Sequence, residues 1–325
     1  MKIALACSRN WYFYLATNLY ALLKHNKVEK IYLFIEDDEI PYLKDKRIEF
    51  ININKFDFIK TTSPNYQTHY TKLTFARCYF TKVLKEDKIL YLDADAIVVD
   101  NIEELWNIDL KDNVLAAVHE PGEWNKHLNS YGLDDTYINT GVLLMDLKKM
   151  REERLDDAIL WLVNNRYLQF PDQDAINLVC RNRITYLDNI YNSTETTGIV
   201  KNAKIVHYIR GNKGWIKGSP RSDIWFKYQD EMLGGVKMDN YKVKALINFT
   251  DYLGKETIPE NPHFDRVVGH VWNCSKERYE YLAEHNAVEI VEVEKVELPE
   301  IKEEPKKEVK PATKKATTKK TTKKK

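Results

Sequence analysis

An α/β fold, with a mostly parallel sheet flanked by helices, is predicted from three features of the sequence. Short apolar runs alternate with segments of helical spacing through the first half of the chain. The runs, such as Lys88-Ile89-Leu90-Tyr91-Leu92, are too short for helices and read as buried strands. Strand, helix, strand in this order implies right-handed crossovers and parallel neighbours. In chain order, residues 2–7, 30–35, 47–53, 88–92, 114–118, 141–145 and 204–208 are expected as strands. Residues 11–24, 73–84 and 147–164 are expected as helices. Beyond about Ile216 the periodicity weakens, and residues 221–290 are rich in aromatics, with helical stretches such as 275–285 and a break at Pro259 and Pro262. Three regions are therefore expected: a main domain at residues 1–217, a mainly helical extension or small module at 218–290, and a tail at 291–325.

The 325 residues are 43% hydrophobic and 30% charged, which is ordinary for a globular protein with a real core. No stretch approaches the roughly 18 apolar residues of a membrane-spanning helix. The opening MKIALACS, interrupted at Arg9, does not read as a secretory signal. Cys7, Cys78, Cys180 and Cys274 lie far apart with no CxxC pair, which argues against a disulfide scaffold or zinc ribbon and fits a reducing, cytoplasmic setting. The net charge of +1 is unevenly spread: from Lys306 to Lys325 ten lysines accompany one acid, Glu308, a local +9 that leaves −8 on the rest. With only Val309 and two alanines as apolar residues, this tail is expected to be disordered. It reads either as a solubilising appendage or as a contact for a polyanion such as nucleic acid, a teichoic-type polymer or a membrane surface.

The densest chemical signal lies in residues 88–100, where an apolar run leads into Asp93-Ala94-Asp95. In open parallel sheets ligands bind beyond the carboxyl ends of strands, and residues two apart in extended backbone face the same side. Asp93 and Asp95 can thus converge on one point, where two carboxylates repel unless a cation or protons intervene. A hard divalent ion, Mg²⁺ or Mn²⁺, resolves the repulsion and can bridge a diphosphate; the plainer alternative is a polar turn capping a strand. His207 ends another apolar run, and an imidazole suits Mn²⁺ better than Mg²⁺; its plainer role is a hydrogen-bonded residue at a strand end. Six residues on, Lys213 stands among Gly211 and Gly214, where backbone can approach a phosphate and an ammonium can offset its charge. Phe170-Pro171-Asp172-Gln173-Asp174 opens an expected helix, with Asp172 placed to cap it. Tyr137-Ile138-Asn139-Thr140-Gly141 precedes a buried strand and by itself is only a turn.

In this order and spacing the pieces resemble glycosyltransferase family 8, retaining enzymes of the GT-A, Rossmann-like type that include glycogenin and bacterial lipopolysaccharide galactosyl- and glucosyltransferases. Six elements within residues 1–217 carry the resemblance. They are Ala6-Cys7-Ser8-Arg9-Asn10-Trp11 after the first strand, Thr74-Phe75-Ala76-Arg77, and Tyr91 to Val98 with its YLDAD core. Asn139-Thr140-Gly141-Val142, Asp172 to Asn177, and His207-Tyr208 with Gly211, Lys213 and Trp215 complete the set. The resemblance implies a UDP-sugar donor. Ala6, Ser8 and Asn10 would lie against the uridine, with Arg77, Ala94 and Thr140 also on the donor. Asp93, Asp95 and His207 would hold Mn²⁺ (or Mg²⁺), Gly211 and Lys213 the pyrophosphate, and Asn139, Gly141, Asp172 and Gln173 would face the transferred sugar. An acceptor hydroxyl would attack C1 with retention, by front-face displacement in which Gln173 or Asp172 stabilises positive charge, or by double displacement with Asp172 as nucleophile.

The departures from the family pattern are local. Ser8 stands where many members have Asp, Lys213-Gly214-Trp215 replaces Lys-Pro-Trp, and the interval from His207 to Gly211 is one residue longer than common. An acidic role near Val118 falls to His119 or Glu120. The expected function is transfer of a hexose, glucose or galactose, from the UDP-sugar to a hydroxyl of a glycan or cell-surface polymer. That acceptor is expected along residues 125–136 and 216–290, where Trp225, Phe226 and Tyr228, with Trp215, either stack on sugar rings or belong to the core. Alternatives are glycosylation of hydroxymethylated bases in nucleic acid, helped by the lysine tail, and a non-catalytic sugar-nucleotide-binding module. A nucleotidyltransferase fits poorly, because Ser8-Arg9-Asn10 is no Gly-rich loop.

Overall fold

A computed structural model of the chain describes residues 1–66, 70–120 and 136–232. Between 241 and 292 it describes residues 241–246, 249–250, 265–266, 269, 271–274, 279 and 282–292. Of the expected acceptor segment 125–136 all but Thr136, and the tail from 293 onward, lie outside the described residues.

The central sheet contains β1 (Lys2–Ala6), β2 (Lys30–Ile35), β3 (Ile48–Asn52), β4 (Lys88–Asp93), β6 (Leu115–Val118), β7 (Val142–Asp146) and β8 (Ile184–Leu187). Their spatial order is β3-β2-β1-β4-β7-β6-β8. All neighbours are parallel except around β7, which runs against both β4 and β6. Beside the sheet a two-stranded ribbon pairs β5 (Ala96–Val98) with β9 (Ile205–His207). The expected strands are present; β5 and β8 are additions that the apolar pattern does not separate from their surroundings.

Alternate residues of each central strand enter different cores, and both faces are covered. Ile3, Leu5, Leu90 and Leu92 pack with Leu15, Leu19 and Leu22 of α1 (Tyr12–His25), while Ala4, Ile89 and Tyr91 join the core on the opposite face. That second core includes Phe80 of α2 (Phe80–Val83). On the first face α3 (Glu103–Trp106) adds the buried Leu105. The opposite core also takes Leu147 of α4 (Leu147–Glu152), Ile159 of α5 (Leu155–Asn165) and Ile176 of α6 (Pro171–Val179). Strands buried on both sides read as unbroken apolar runs, which is why they were legible. Two expected helices are modified. The segment 73–84 opens as a 3-10 turn over Lys72–Cys78 before α2, and the segment 147–164 is split by Arg154 at φ 57° into α4 and α5.

Beyond residue 217 the described residues differ from the mainly helical extension expected there. Helix α7 (Ser222–Met232) buries Trp225, Tyr228 and Met232 in the core it shares with α1, so these aromatics are packing residues, and residues 279 and 282–284 are helical within the expected stretch 275–285. After α7 come β10 (Tyr241–Ala245), β11 (Phe249–Thr250), β12 (Asp265–Arg266), β13 (Val271–Cys274) and β14 (Val288–Glu292). β10 pairs antiparallel with β13 and β14 as a small sheet, and β11 pairs with β12. The alternation in short runs such as Val288-Glu289-Ile290 carries a period of two that the surrounding Glu/Lys-rich composition obscures. β14 also runs through Glu292, past the expected boundary at 290. Among the described residues no helix is long and apolar enough to cross a membrane.

Candidate active site

The site forms where three strand ends meet. Register places Ala6 beside Asp93 at the carboxyl ends of β1 and β4. Because β7 is antiparallel, its amino-terminal approach, Asn139-Thr140-Gly141, arrives at the same end, and the Asp93 amide donates to the Gly141 carbonyl at 2.8 Å. The β5–β9 ribbon sets His207 opposite Ala96, one residue past Asp95.

Asp93, Asp95 and His207 offer ligand atoms that all lie within 4.8 Å of one another. His207 Nε2 is 3.3 Å from Asp95 Oδ1 and 3.7 Å from Asp93 Oδ2. The other ring nitrogen is held: the Asn192 amide donates to Asn139 Oδ1 at 2.8 Å, so Asn192 Oδ1 is left to accept from His207 Nδ1 at 2.9 Å. That tautomer turns the Nε2 lone pair toward the two carboxylates, the arrangement a metal-ligating histidine requires. Two acid oxygens and an imidazole nitrogen suit a divalent ion such as Mn²⁺. Gly141 makes room for the cluster, since a Cβ there would sit 2.2 Å from His207 Cε1 and 2.8 Å from Asp93 Oδ2.

Cations flank both acids. Arg77 donates through Nη2 to Asp93 Oδ1 at 2.6 Å and through Nη1 to the Thr140 carbonyl at 2.6 Å, and its Nε lies 3.2 Å from Asp172 Oδ2. Its guanidinium carbon sits 4.5 Å over the Tyr91 ring. Burial disfavours the Arg77 charge, but Asp93, Tyr91 and Asp172 outweigh it and hold the group protonated. Lys213 Nζ donates to Asp95 Oδ2 and to the Tyr208 carbonyl, and lies 5.1 Å over the Trp11 ring. Burial pushes the Asp95 carboxyl up, yet the Lys213 ammonium beside it opposes this and the carboxyl lies below the usual carboxylate range.

On the other wall Gln173 is fixed from both ends. Its Oε1 accepts from the Thr140 amide at 3.0 Å, and its Nε2 donates to Glu120 Oε2 and to the Tyr137 hydroxyl, each at 3.1 Å. Glu120 also accepts from Asn139 at 3.3 Å and from the Thr196 hydroxyl. Burial and Asp174 push the Tyr137 hydroxyl far up, so it stays protonated and donates to Asp174 at 2.6 Å. The α6 start differs from expectation. Asp174, not Asp172, reaches back to the amides of Gln169 and Phe170, each at 3.1 Å, while the N-cap position is Phe170. Asp172 also faces Arg77; burial pushes its carboxyl above the ordinary range, Arg77 and the first-turn amides of Asp172 and Gln173 oppose that, and Asp93 adds to it.

A pocket of about 320 Å³ opens over these groups, lined by Ala6, Ser8, Trp11, Thr71, Leu73, Thr74, Arg77, Tyr91, Asp93, Ala94 and Asp95. Of the residues singled out in the sequence, Ala6, Ser8, Arg77, Asp93, Ala94 and Asp95 line it directly. Thr140, Gly141, Asp172, His207 and Lys213 touch that lining through the contacts above, and Asn139 and Gln173 lie behind it. Asn10 instead points to Asn286, 3.5 Å away, and Gly211 has no atom within 4 Å of where a Cβ would stand. Asn192, Thr196 and Thr71 were missed; lone polar residues in loops carry no spacing that marks them. Glu120 is the acid that joins the site, and His119 pairs with Ile138 in an isolated bridge.

The model of glycosyl transferase family 8 matches residues 2–218. The chain belongs to glycosyltransferase family 8. Its family relatives include a putative glycosyltransferase of Haemophilus influenzae, 26% identical over 67% of this chain and 73% of that protein. Glycosyltransferase GlyF of Streptococcus pneumoniae is 27% identical over 70% of this chain, which spans 61% of its length. Among solved structures, galactosyltransferase LgtC in complex with donor and acceptor sugar analogues superposes with a TM-score of 0.57 at 22% identity, covering 71% of this chain and 96% of that one. That likeness shows the shared GT-A fold, a mostly parallel mixed sheet flanked by helices. The family match covers the part of the chain that carries every site residue described above.

Proposed function

We propose that the protein is a metal-dependent, retaining glycosyltransferase that moves a hexose from UDP-glucose or UDP-galactose to a hydroxyl of a glycan or cell-surface polymer. The observation that carries this reading is the convergence of Asp93, Asp95 and His207 beneath the pocket of a family 8 chain. Those three residues would hold Mn²⁺ or Mg²⁺, which supplies positive charge for a departing diphosphate. The chain's own groups then divide the work. Ala6, Ser8 and Trp11 shape the nucleotide end of the pocket. Lys213 is close enough to Asp95 to serve the same charged region and to offer its ammonium to the leaving phosphate, with Gly211 leaving space in the loop. Arg77 neutralises Asp93 and holds Asp172 at the sugar end.

Gln173, held behind the lining by Thr140, is the neutral group assigned to developing positive charge at C1. Both ends of its amide are already bonded, so its dipole is aligned before the reaction and costs no reorganisation. Front-face displacement suits this wall better than double displacement, because a carboxylate oxygen of Asp172 is engaged by Arg77. The LgtC complex with donor and acceptor analogues supports a ternary arrangement of this kind. Retention of the complete Asp-Asp-His set speaks for catalysis over a binding-only module.

The test is UDP release from UDP-glucose and UDP-galactose with Mn²⁺, Mg²⁺ or EDTA, without added acceptor. Slow hydrolysis of one donor, lost with EDTA and in Asp95→Ala, is the expected result. Turnover that survives EDTA, or neither turnover nor Mn²⁺-dependent UDP binding, overturns the reading.

A further inference from the structure

Between the two pocket-lining residues Ser8 and Trp11, the chain makes a 3-10 turn, Arg9–Trp11, in which no side chain caps the Ser8 end. The turn is held from outside the pocket by Arg9. Its amide donates to Glu36 Oε2 at 2.8 Å, and its guanidinium forms a two-bond fork with Asp37, Nε to Oδ2 at 2.9 Å and Nη2 to Oδ1 at 2.5 Å. The Tyr12 hydroxyl donates to the same Asp37 oxygen and accepts from the Glu36 amide, at 2.9 and 3.1 Å. Glu36 and Asp37 follow β2 directly, so this side of the anchor is part of the central sheet.

The other side comes from 280 residues away in sequence. Glu289 of β14 places Oε2 3.5 Å from Arg9 Nε, while its Oε1 accepts from Lys244 of β10 at 3.0 Å. The Glu289 side chain is only 7% exposed. A carboxylate buried to that extent needs its charge partners, and a forked Arg–carboxylate pair holds direction as well as distance. Asn286 meets Asn10 at 3.5 Å on the same turn, and Tyr279 packs at 6.2 Å from Phe13 and 6.5 Å from Tyr14 at the start of α1.

We infer that Arg9 is a positioning residue that sets the residue 8–11 turn by spanning Asp37 and Glu289, so that the segment ending in β14 is part of the frame of the nucleotide end of the pocket. This inference rests on the reading of that pocket as the donor site. It assigns a task to the C-terminal strands that is separate from acceptor recognition. It also explains how a chain with Ser8 at the pocket wall keeps that wall in place: the fixing charge sits one residue on, at Arg9, and faces away from the ligand.

The experiment is UDP binding in the presence of Mn²⁺, by calorimetry on the full chain, for wild type, Arg9→Ala, Glu289→Gln and the double variant. Each single change is expected to weaken UDP roughly 3–10-fold, and the double variant to bind no more weakly than Arg9→Ala, because Glu289 acts through Arg9. Arg9→Lys, which keeps the charge and loses the fork, recovers part of the affinity. With the UDP-sugar that the chain turns over, KM rises in parallel while kcat stays within about twofold, a split that a general loss of folding does not produce. Glu289→Gln binding UDP like wild type, or losses that simply add, overturns the inference. Should Glu289→Gln prove too unstable to measure, Glu289→Asp, which withdraws the charge from Arg9, is read by the same criteria. If wild type itself binds no UDP, the donor-site reading fails and takes the inference with it; if wild type binds and Glu289→Gln matches it, only the inference fails.

Discussion

The two walls of the site meet the same problem, polar groups removed from water, in different ways. On the β4–β9 wall Asp93, Asp95 and His207 are drawn within 4.8 Å of one another, and Arg77 and Lys213 lie against the acids. On the α6 wall Gln173, Asn139, Tyr137 and Thr196 are neutral, and each hydrogen-bonds into a network around Glu120 and Asp174. Arg77 and Lys213 offset the two acids from outside, and the ligand atoms of Asp93, Asp95 and His207 still converge as a set that suits a divalent cation. A network whose donors and acceptors are matched keeps its shape without any ligand. The charged wall therefore holds affinity, and the neutral wall holds geometry.

Three substitutions break or sharpen that contrast. The largest effect belongs to Gly141→Ala, where the added Cβ would stand 2.2 Å from His207 Cε1 and force the imidazole or the β7 approach to move. Displacement of about 1 Å at a reacting centre can cost some 100-fold, so donor hydrolysis should fall at least that far while the far-ultraviolet circular dichroism stays native. Wild-type activity in this variant would mean that His207 is not held where it is needed. Asn192→Ala comes next. It frees the ring nitrogen that Asn192 fixes, and Mn²⁺ affinity should drop about 10–100-fold, as orienting partners of metal ligands typically do. Saturating Mn²⁺ should restore most of kcat; failure to do so would show that the bond from Asn192 to Asn139 of the neutral wall matters to turnover as well as to metal binding. Thr196→Val is the smallest, since it removes one hydroxyl from Glu120. A loss of about 1 kcal/mol should lower Tm by a few degrees with Mn²⁺ affinity unchanged. A fall in Mn²⁺ affinity would mean that the two walls are not independent.

The charged wall was the more legible of the two. Asp93 and Asp95 follow an apolar run whose burial on both faces leaves no polar interruption, so the acids stand out at its end. His207 and Lys213 close a second such run and a Gly-containing loop. The neutral wall was legible only as short motifs, and the start of α6 divides between two acids: Asp174 reaches back to the amides of Gln169 and Phe170, while Asp172 meets the first-turn amides of Asp172 and Gln173 and also turns to Arg77. Both acids stand in the first turn, and their order alone cannot say which one curls back. The C-terminal strands were missed because alternation over four or five residues is weak against a charged background.

By itself, the amino-acid sequence determined the α/β class and the strands of the sheet core, and it marked Asp93, Asp95, His207 and Lys213 as candidate site residues through burial periodicity and residue chemistry at strand ends, both of which are local. Asp172 and Gln173 stood out only through the resemblance to family 8, since by themselves they read as the start of a helix. The tertiary structure alone decided the direction of β7, which delivers Asn139, Thr140 and Gly141 to the carboxyl end of β4, and the turning of Asn192 onto His207. It alone also decided that Glu289 meets Arg9. Each of these depends on which segments become neighbours across a sheet or between layers, and the hydrophobic pattern of a strand is the same whichever way it runs.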